Sequence, residues 1–312
     1  MSFASEIKDE VVRVRARDGA VKLSELSGLT FACGNLKLGR KKAISYRTEN
    51  REVGRHIAAL GTALYGLEVE MEERVREHRK AAPLYVVNMS GPRAGEMLSD
   101  TGVLVTDEEG VHLLSRLPEG LVREEEARRA FVRGCFLGAG SCSDPQGEYS
   151  LEILCRAEGF AVGLCNLLNE YGLTARYALR RNRYVVYLKD GDSITGFLAL
   201  IGSSMAALDL ENVRAEKETR NYVNRTTNCE YANLDKLVAA SVKQQQAVNT
   251  ILRHGHFQRL PKALKEAAEL RLNYPDASLQ ELADMADIKK SGMNHRLTRL
   301  IEYAQDLENG LI

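Results

Sequence analysis

Four basic residues, Lys289, Lys290, Arg296 and Arg299, stand between positions 289 and 299 with no acid among them, interleaved with Ser291, Asn294, His295 and Thr298. These types suit DNA: asparagine can bond adenine and arginine guanine through paired hydrogen bonds, and arginine can instead hold a phosphate. Met293, Leu297, Leu300, Ile301 and Ala304 recur at helical spacing, which leaves Lys290, Ser291, Asn294, His295, Thr298 and Arg299 on the opposite face. Lys289, Lys290 and Arg296 are expected to hold the DNA backbone. A helical interaction module would accept the same pattern, because residues 251–312 carry nine Lys or Arg against nine Asp or Glu and are neutral as a whole.

Two more stretches are basic and free of acids. Lys37, Arg40, Lys41, Lys42 and Arg47 fall between 35 and 48, and Arg176, Arg180, Arg181, Arg183 and Lys189 fall between 173 and 189. Both read as hairpins, the second turning near Arg181-Asn182, and alternation puts Arg183 and Lys189 on the face of Val185 and Tyr187. Such faces offer secondary phosphate contacts, or form a solvated sheet edge guarded by Lys and Arg.

Other chemistry is sparse. His254-Gly-His256 offers two nitrogen ligands but ends a helical run, where histidines favour the negative end of the helix, and no metal or cofactor is expected. The six cysteines, Cys33, Cys135, Cys142, Cys155, Cys165 and Cys229, contain no CxxC and read as thiols of a reducing compartment, mostly buried. Forty-three basic residues balance forty-three acidic ones, so no protein-wide field draws the chain to nucleic acid or membrane. The apolar run from Ser193 to Leu208 is broken by Gly196 and Gly202, short of a bilayer span, and the acidic N-terminus is no signal peptide. A soluble protein is expected, with a first helix capped by Ser2 or Ser5.

The elements that position the 289–299 stripe can be read locally. From Glu230, apolar positions at helical spacing run to Gly255, after a local break at Arg225-Thr226-Thr227-Asn228-Cys229. A helix follows from near Pro261 to about Asn273. Ser278-Leu279-Gln280-Glu281 is a capping box opening a short helix, with Ser278 also counted among the expected DNA contacts. Asp287 occupies the next turn, where glycine is usual, and Ser291 can cap the last helix. The spacing is that of a helix-turn-helix, whose second helix enters the major groove by its N-terminal end.

Upstream, the chain repeats itself at an offset of 106 residues: Gly28, Gly34 and Tyr65-Gly66-Leu67 recur as Gly134, Gly140 and Tyr171-Gly172-Leu173. Each half reads αββαββ with a further helix, the first helices covering about 22–34 and 123–140. Leu26-Ser-Gly-Leu-Thr-Phe-Ala-Cys-Gly34 and Val132-Arg-Gly-Cys-Phe-Leu-Gly-Ala-Gly140 carry glycines where two helices can cross with backbones almost touching. These segments resemble the LAGLIDADG motif of homing endonucleases, over residues 1 to 213. That resemblance implies a saddle of sheet for DNA and a metal-binding acid before the last glycine of each motif. Here Cys33 and Ala139 hold those positions, and neither offers the hard oxygen that Mg²⁺ requires. Asp144, within Ser143-Asp-Pro-Gln-Gly147, has the composition of a turn.

With the Asn-rich segment Asn221–Asn233, the run Arg133-Gly-Cys-Phe-Leu-Gly-Ala-Gly-Ser-Cys-Ser-Asp-Pro145, the opening Ser2-Phe-Ala-Ser-Glu-Ile-Lys8 and the closing Lys290-Ser-Gly-Met-Asn-His-Arg296, the chain resembles the bacterial WhiA family along nearly its whole length. The resemblance implies an α+β fold: LAGLIDADG-like repeats at 1–110 and 120–213 forming one saddle-shaped domain, a helical linker at 214–255 and a helix-turn-helix domain at 256–312. It implies a cytoplasmic, nucleoid-associated regulator of transcription in cell division, chromosome segregation or sporulation, with double-stranded DNA as partner, RNA polymerase or another transcription regulator as a further one, and no enzyme activity. An active homing endonuclease and a cell-division scaffold with incidental DNA binding are the alternatives.

Overall fold

The computed structural model describes residues 2–16, 18–38, 42–75, 83–108 and 110–312. Two compact units divide the chain, Met1–Lys217 and Glu218–Ile312. In the first, α1 (Phe3–Val11) starts at Ser2, whose hydroxyl accepts from the Ser5 amide. The first repeat then runs α2 (Gly19–Cys33), β1 (Gly34–Leu38), β2 (Lys42–Thr48), α3 (Arg51–Tyr65), β3 (Glu68–Arg74), β4 (Leu84–Ser90) and α4 (Ala94–Asp100). A hairpin of β5 (Leu104–Asp107) and β6 (Gly110–Leu113) follows, unanticipated from sequence. The second repeat runs α5 (Glu125–Ala139), β7 (Gly140–Cys142), β8 (Leu151–Cys155), α6 (Glu158–Glu170), β9 (Arg176–Arg180), β10 (Arg183–Leu188) and α7 (Gly191–Ile201).

The internal repeat is therefore structural. Each half builds a four-stranded antiparallel sheet, ordered β1-β2-β4-β3 and β7-β8-β10-β9. Asn50 caps α3 by accepting from the Val53 amide, and α3 and α6 both give way to a left-handed glycine, Gly66 at φ +61° and Gly172 at φ +75°. A side chain there is disfavoured by about 1 kcal/mol because of the left-handed backbone alone, which favours glycine at the centre of both triplets.

The first helices of the two repeats, α2 and α5, pack at the centre. A Cβ on Gly28 would collide with the Phe131 carbonyl oxygen and come within 2.9 Å of the Cys135 amide; one on Gly134 would collide with the Glu25 carbonyl oxygen and come within 2.9 Å of the Leu29 amide. These contacts are related by the same offset of 106, so the crossing obeys the pseudo-twofold axis residue by residue. Leu26, Leu29, Phe131 and Phe136 are fully buried around it. Each contributes about 1.5–3 kcal/mol by leaving water.

The crossing also buries charge. Arg133 Nη2 donates to Glu25 Oε2 at 2.9 Å, and His56 Nε2 from α3 lies 2.7 Å from Glu25 Oε1, with Glu25 only 1% exposed. Burial alone would raise the Glu25 carboxyl, but hydrogen bonding to His56 and the Arg133 charge outweigh it and hold the group below its ordinary value.

The last helix to begin in this unit, α8, runs unbroken over Ser204–Arg253. Glu10 from α1 caps its start, accepting from the Ser203 hydroxyl at 2.6 Å and the Met205 amide at 2.8 Å. The break expected at Arg225–Cys229 is absent: the span holds neither glycine nor proline, and threonine and asparagine lower helix propensity only by tenths of a kcal/mol each. The second unit comprises the end of α8 with α9 (Lys262–Asn273), α10 (Leu279–Met285) and α11 (Lys290–Glu308). Its core joins Val248 and Ile251 to Ala267, Leu282, Met293, Leu297 and Leu300.

Candidate nucleic-acid interface

In the second unit, α10 and α11 form the helix pair anticipated from the sequence. The Ser278 hydroxyl accepts from the Glu281 amide at 3.3 Å, and Glu281 accepts from the Ser278 amide at 2.7 Å, completing the capping box. Asp287 adopts φ +50°, and the Ile288 amide closes on the Ala283 carbonyl at 3.0 Å, so aspartate occupies the left-handed turn position. Ahead of the pair, buried Arg271 donates from Nη1 to the carbonyls of Pro275 and Ala277, at 3.2 and 2.7 Å, and pins the segment joining α9 to α10.

One helix start differs from expectation. The N-cap of α11 is Lys289, in extended geometry and without a side-chain cap; Ser291 lies inside the first turn. The Lys289 carbonyl already accepts from Gly292 and Met293 at 2.8 and 3.1 Å, which places the cap two residues before the serine. The first-turn amides are thus left without a side-chain oxygen, and a phosphate can take that place.

Met293, Leu297, Leu300 and Ala304 face the core, while Lys289, Lys290, Ser291, Asn294, His295, Thr298 and Arg299 are exposed. Asn294 and His295 use none of their side-chain atoms in hydrogen bonds among the described residues, and the Thr298 hydroxyl donates back to the Asn294 carbonyl at 2.9 Å. Arg299 reaches Glu302 at 3.4 Å and stays 63% exposed. Arg296 is placed differently: it pairs with Glu266 of α9 at 2.9 Å and is 22% exposed, so it ties α11 to α9.

On the first unit, strand register arranges the basic residues. Arg183 pairs with Arg180, Tyr187 with Arg176 and with Glu152, so all of these share the sheet face away from the helices. Arg181 and Asn182 form the turn, both with positive φ as a two-residue hairpin needs. Arg180 is held by Glu152 at 2.8 Å, and Lys189 by the Ser150 hydroxyl at 2.6 Å. Arg183 has no carboxylate partner among the described residues. Lys37 and Lys42 stand on β1 and β2, their side chains undescribed, and Arg40 and Lys41 lie outside the described residues.

Two features escaped the sequence reading. Glu68, Glu70 and Glu72 of β3 pair with Ser90, Asn88 and Val86, on the face that also bears Arg47, so one half of the saddle carries acids where the other carries arginines. Glu70 occupies in the first repeat the place of Arg176 in the second. Arg156, isolated in sequence, reaches the Gly34 carbonyl at the end of α2. Their signal was the i, i+2 alternation of β3 for the acids and, for Arg156, nothing local.

The motif positions Cys33 and Ala139 lie at the adjoining ends of α2 and α5. Burial pushes the Cys33 thiol up to about 12, so it stays neutral. No cluster of three His, Cys, Asp or Glu suited to a metal occurs among the described residues. Asp144 accepts from the Gln146 amide at 2.8 Å in its turn, His254 bonds the Thr250 carbonyl, and His256 meets the Tyr303 hydroxyl. Five cysteines are buried or half-buried and Cys229 is exposed, all as free thiols. No described helix is long and apolar enough to cross a membrane.

Three families match the chain: the WhiA N-terminal LAGLIDADG-like domain over residues 20–104, the WhiA LAGLIDADG-like domain over 128–220, and the WhiA C-terminal HTH domain over 223–304. Among curated proteins, the "Probable cell division protein WhiA" of Clostridium acetobutylicum is 39% identical across 98% of both chains. That of Desulfitobacterium hafniense is 40% identical over 99% of this chain and 97% of the relative. Among solved structures, full-length WhiA from Thermatoga maritima superposes with a TM-score of 0.62 at 24% identity, covering 98% of each chain. The N-terminal LAGLIDADG domain of a WhiA protein matches 64% of this chain and 90% of its own at a TM-score of 0.52 and 23% identity.

Proposed function

The chain belongs to the WhiA family, and from that premise we propose that it is a sequence-specific DNA-binding regulator of cell division, chromosome segregation or sporulation, without nuclease activity, working in the cytoplasm at the nucleoid. The observation that carries this reading is the exposed face of the first turns of α11, acid-free over residues 289–299 and beginning at an uncapped N-terminus. Asn294 and Arg299 read base edges; Lys289, Lys290 and Ser291 hold phosphates at the helix start, where the helix dipole also favours an anion. Ser278 presents the start of α10 to the backbone. His295 and Thr298 flank the reading pair, and Arg296 sets the tilt of α11 through Glu266. The repeats at 1–110 and 120–213 act as one domain, joined through 214–255 to the reader at 256–312.

The saddle adds at most local phosphate contacts, from Arg181 and Arg183 and the 37–42 segment, because Glu68 and Glu70 repel a duplex laid across its whole length, Glu72 being paired with Arg74. The chemistry at Cys33 and Ala139 supports the absence of cleavage, and a plasmid-nicking assay with Mg²⁺ is expected to show none.

Genome-wide DNA binding by the intact protein, beside an Asn294→Ala, Arg299→Ala variant at one stated salt concentration, tests the reading. Discrete sites that vanish in the variant are expected, each lost base contact costing about 1–3 kcal/mol. An unchanged site map would overturn the assignment of base contacts to α11. Rescue of cell division by the DNA-dead variant would favour the scaffold reading.

A further inference from the structure

The ends of the two motif helices carry three arginines that no carboxylate among the described residues neutralises. Arg47 from β2, Arg156 just beyond β8 and Arg183 from β10 line a cavity of about 280 Å³ together with Cys33, Gly138 and Ala139. None of the three guanidiniums has a carboxylate partner among the described residues, whereas neighbouring Arg180 is paired with Glu152. Arg156 donates to the Gly34 carbonyl, and burial first, then the nearby Arg183 charge, hold it below the ordinary arginine value despite the opposing influence of Cys33.

The helix ends themselves account for part of this charge. A helix C-terminus carries roughly −0.5, so α2 and α5 offset about one of three positive charges and leave an excess of about +2. Lys8 sits nearby over the Phe136 ring, 5.8 Å from its centroid, with Glu49 opposing its charge, so that pair adds little. The excess matches a phosphate monoester, which carries about −1.5 to −2 at neutral pH, better than a single phosphodiester.

A second cavity, about 400 Å³, adjoins the first at Asn35 and Arg156 and is walled by Phe31, Leu36, Val103, Leu113, Leu114 and Phe160. Phe31 and Phe160 stack there with ring centroids 4.8 Å apart. Apolar walls meeting a few convergent cations are the makings of a small-molecule site.

We propose that the end of the degenerate motif pair is a receptor for a phosphate monoester, held by Arg47, Arg156 and Arg183, with an apolar or aromatic body lying against Phe31, Leu36 and Phe160. The replacement of motif acids by Cys33 and Ala139 is part of the same design, since a carboxylate at either position would cut the excess from about +2 to about +1 and repel the phosphate at close range. The proposal is independent of the DNA reading of α11.

Calorimetric titration of the full-length protein tests it with phenyl phosphate, inorganic phosphate and phenol. Phenyl phosphate is expected to bind more tightly than inorganic phosphate, and phenol not at all. Arg47→Ala with Arg183→Ala, and separately Ala139→Glu, should weaken phenyl phosphate by about tenfold or more, since charge-assisted bonds to phosphate are the strong ones. Arg183→Lys should retain most of the affinity, and Asn294→Ala with Arg299→Ala all of it. Arg47 and Arg183 are exposed, so circular dichroism of their variants should match the parent. The proposal is overturned if neither phosphate binds at millimolar concentration, or if the variants bind as the parent does.

Discussion

Glu25 shows how much one residue depends on partners far along the chain. Its carboxylate is buried between Arg133, 108 positions away, and His56, and ionises only because they meet it there. A carboxyl whose folded value lies below its unfolded one stabilises the fold above the unfolded value and loses that contribution as pH falls through the folded value. Glu25 should therefore stabilise the first unit fully well above its ordinary value of 4.5 and progressively less below it. Glu25→Gln strands Arg133 in the interior and should cost about 3–5 kcal/mol near neutral pH. Urea denaturation of parent and variant across pH 7 to 3 should show that gap narrowing as the medium is acidified. A constant gap would mean the carboxylate is not ionised in the folded protein.

Among the elements, α2 and α5 are the most constrained, because their backbones touch. Gly28→Ala and Gly134→Ala each drive a methyl into a carbonyl oxygen that belongs to a rigid helix. Each should destabilise the first unit by about 1–3 kcal/mol or more, and to similar extents, as the pseudo-twofold relation requires. A Cβ at Gly172 meets open space, so Gly172→Ala should show only the smaller cost of its positive φ, about 1 kcal/mol. Comparing the three midpoints separates steric overlap from backbone strain. The long helix α8 makes the complementary point: a cluster of Thr and Asn weakens a helix without ending one when glycine and proline are missing.

At the scale of the whole molecule, zero net charge means that DNA affinity must come from local segregation of charge, and salt dependence can locate it. Lys290→Ala should weaken binding on all sequences alike and flatten the slope of log affinity against log salt by about 1, the signature of one lost phosphate contact. Arg180→Ala should leave the slope unchanged, because Arg180 already serves Glu152. A drop in slope from Arg180→Ala would assign the saddle a larger share of the duplex. The sequence by itself determined the repeat, the glycines of the helix crossing, the left-handed helix ends, the capping box at Ser278 and the exposed stripe of α11. All of these are written in spacings of a few residues or in one constant offset, and local backbone geometry enforces them. Only the tertiary structure decided that Arg156 meets the end of α2 across 122 positions, that Arg47 and Arg183 join it beside Cys33 and Ala139, that Arg296 serves Glu266, and that the face bearing Arg183 has an acidic counterpart in β3. Those groupings follow from packing two similar halves about an axis, which brings together residues that no local pattern connects.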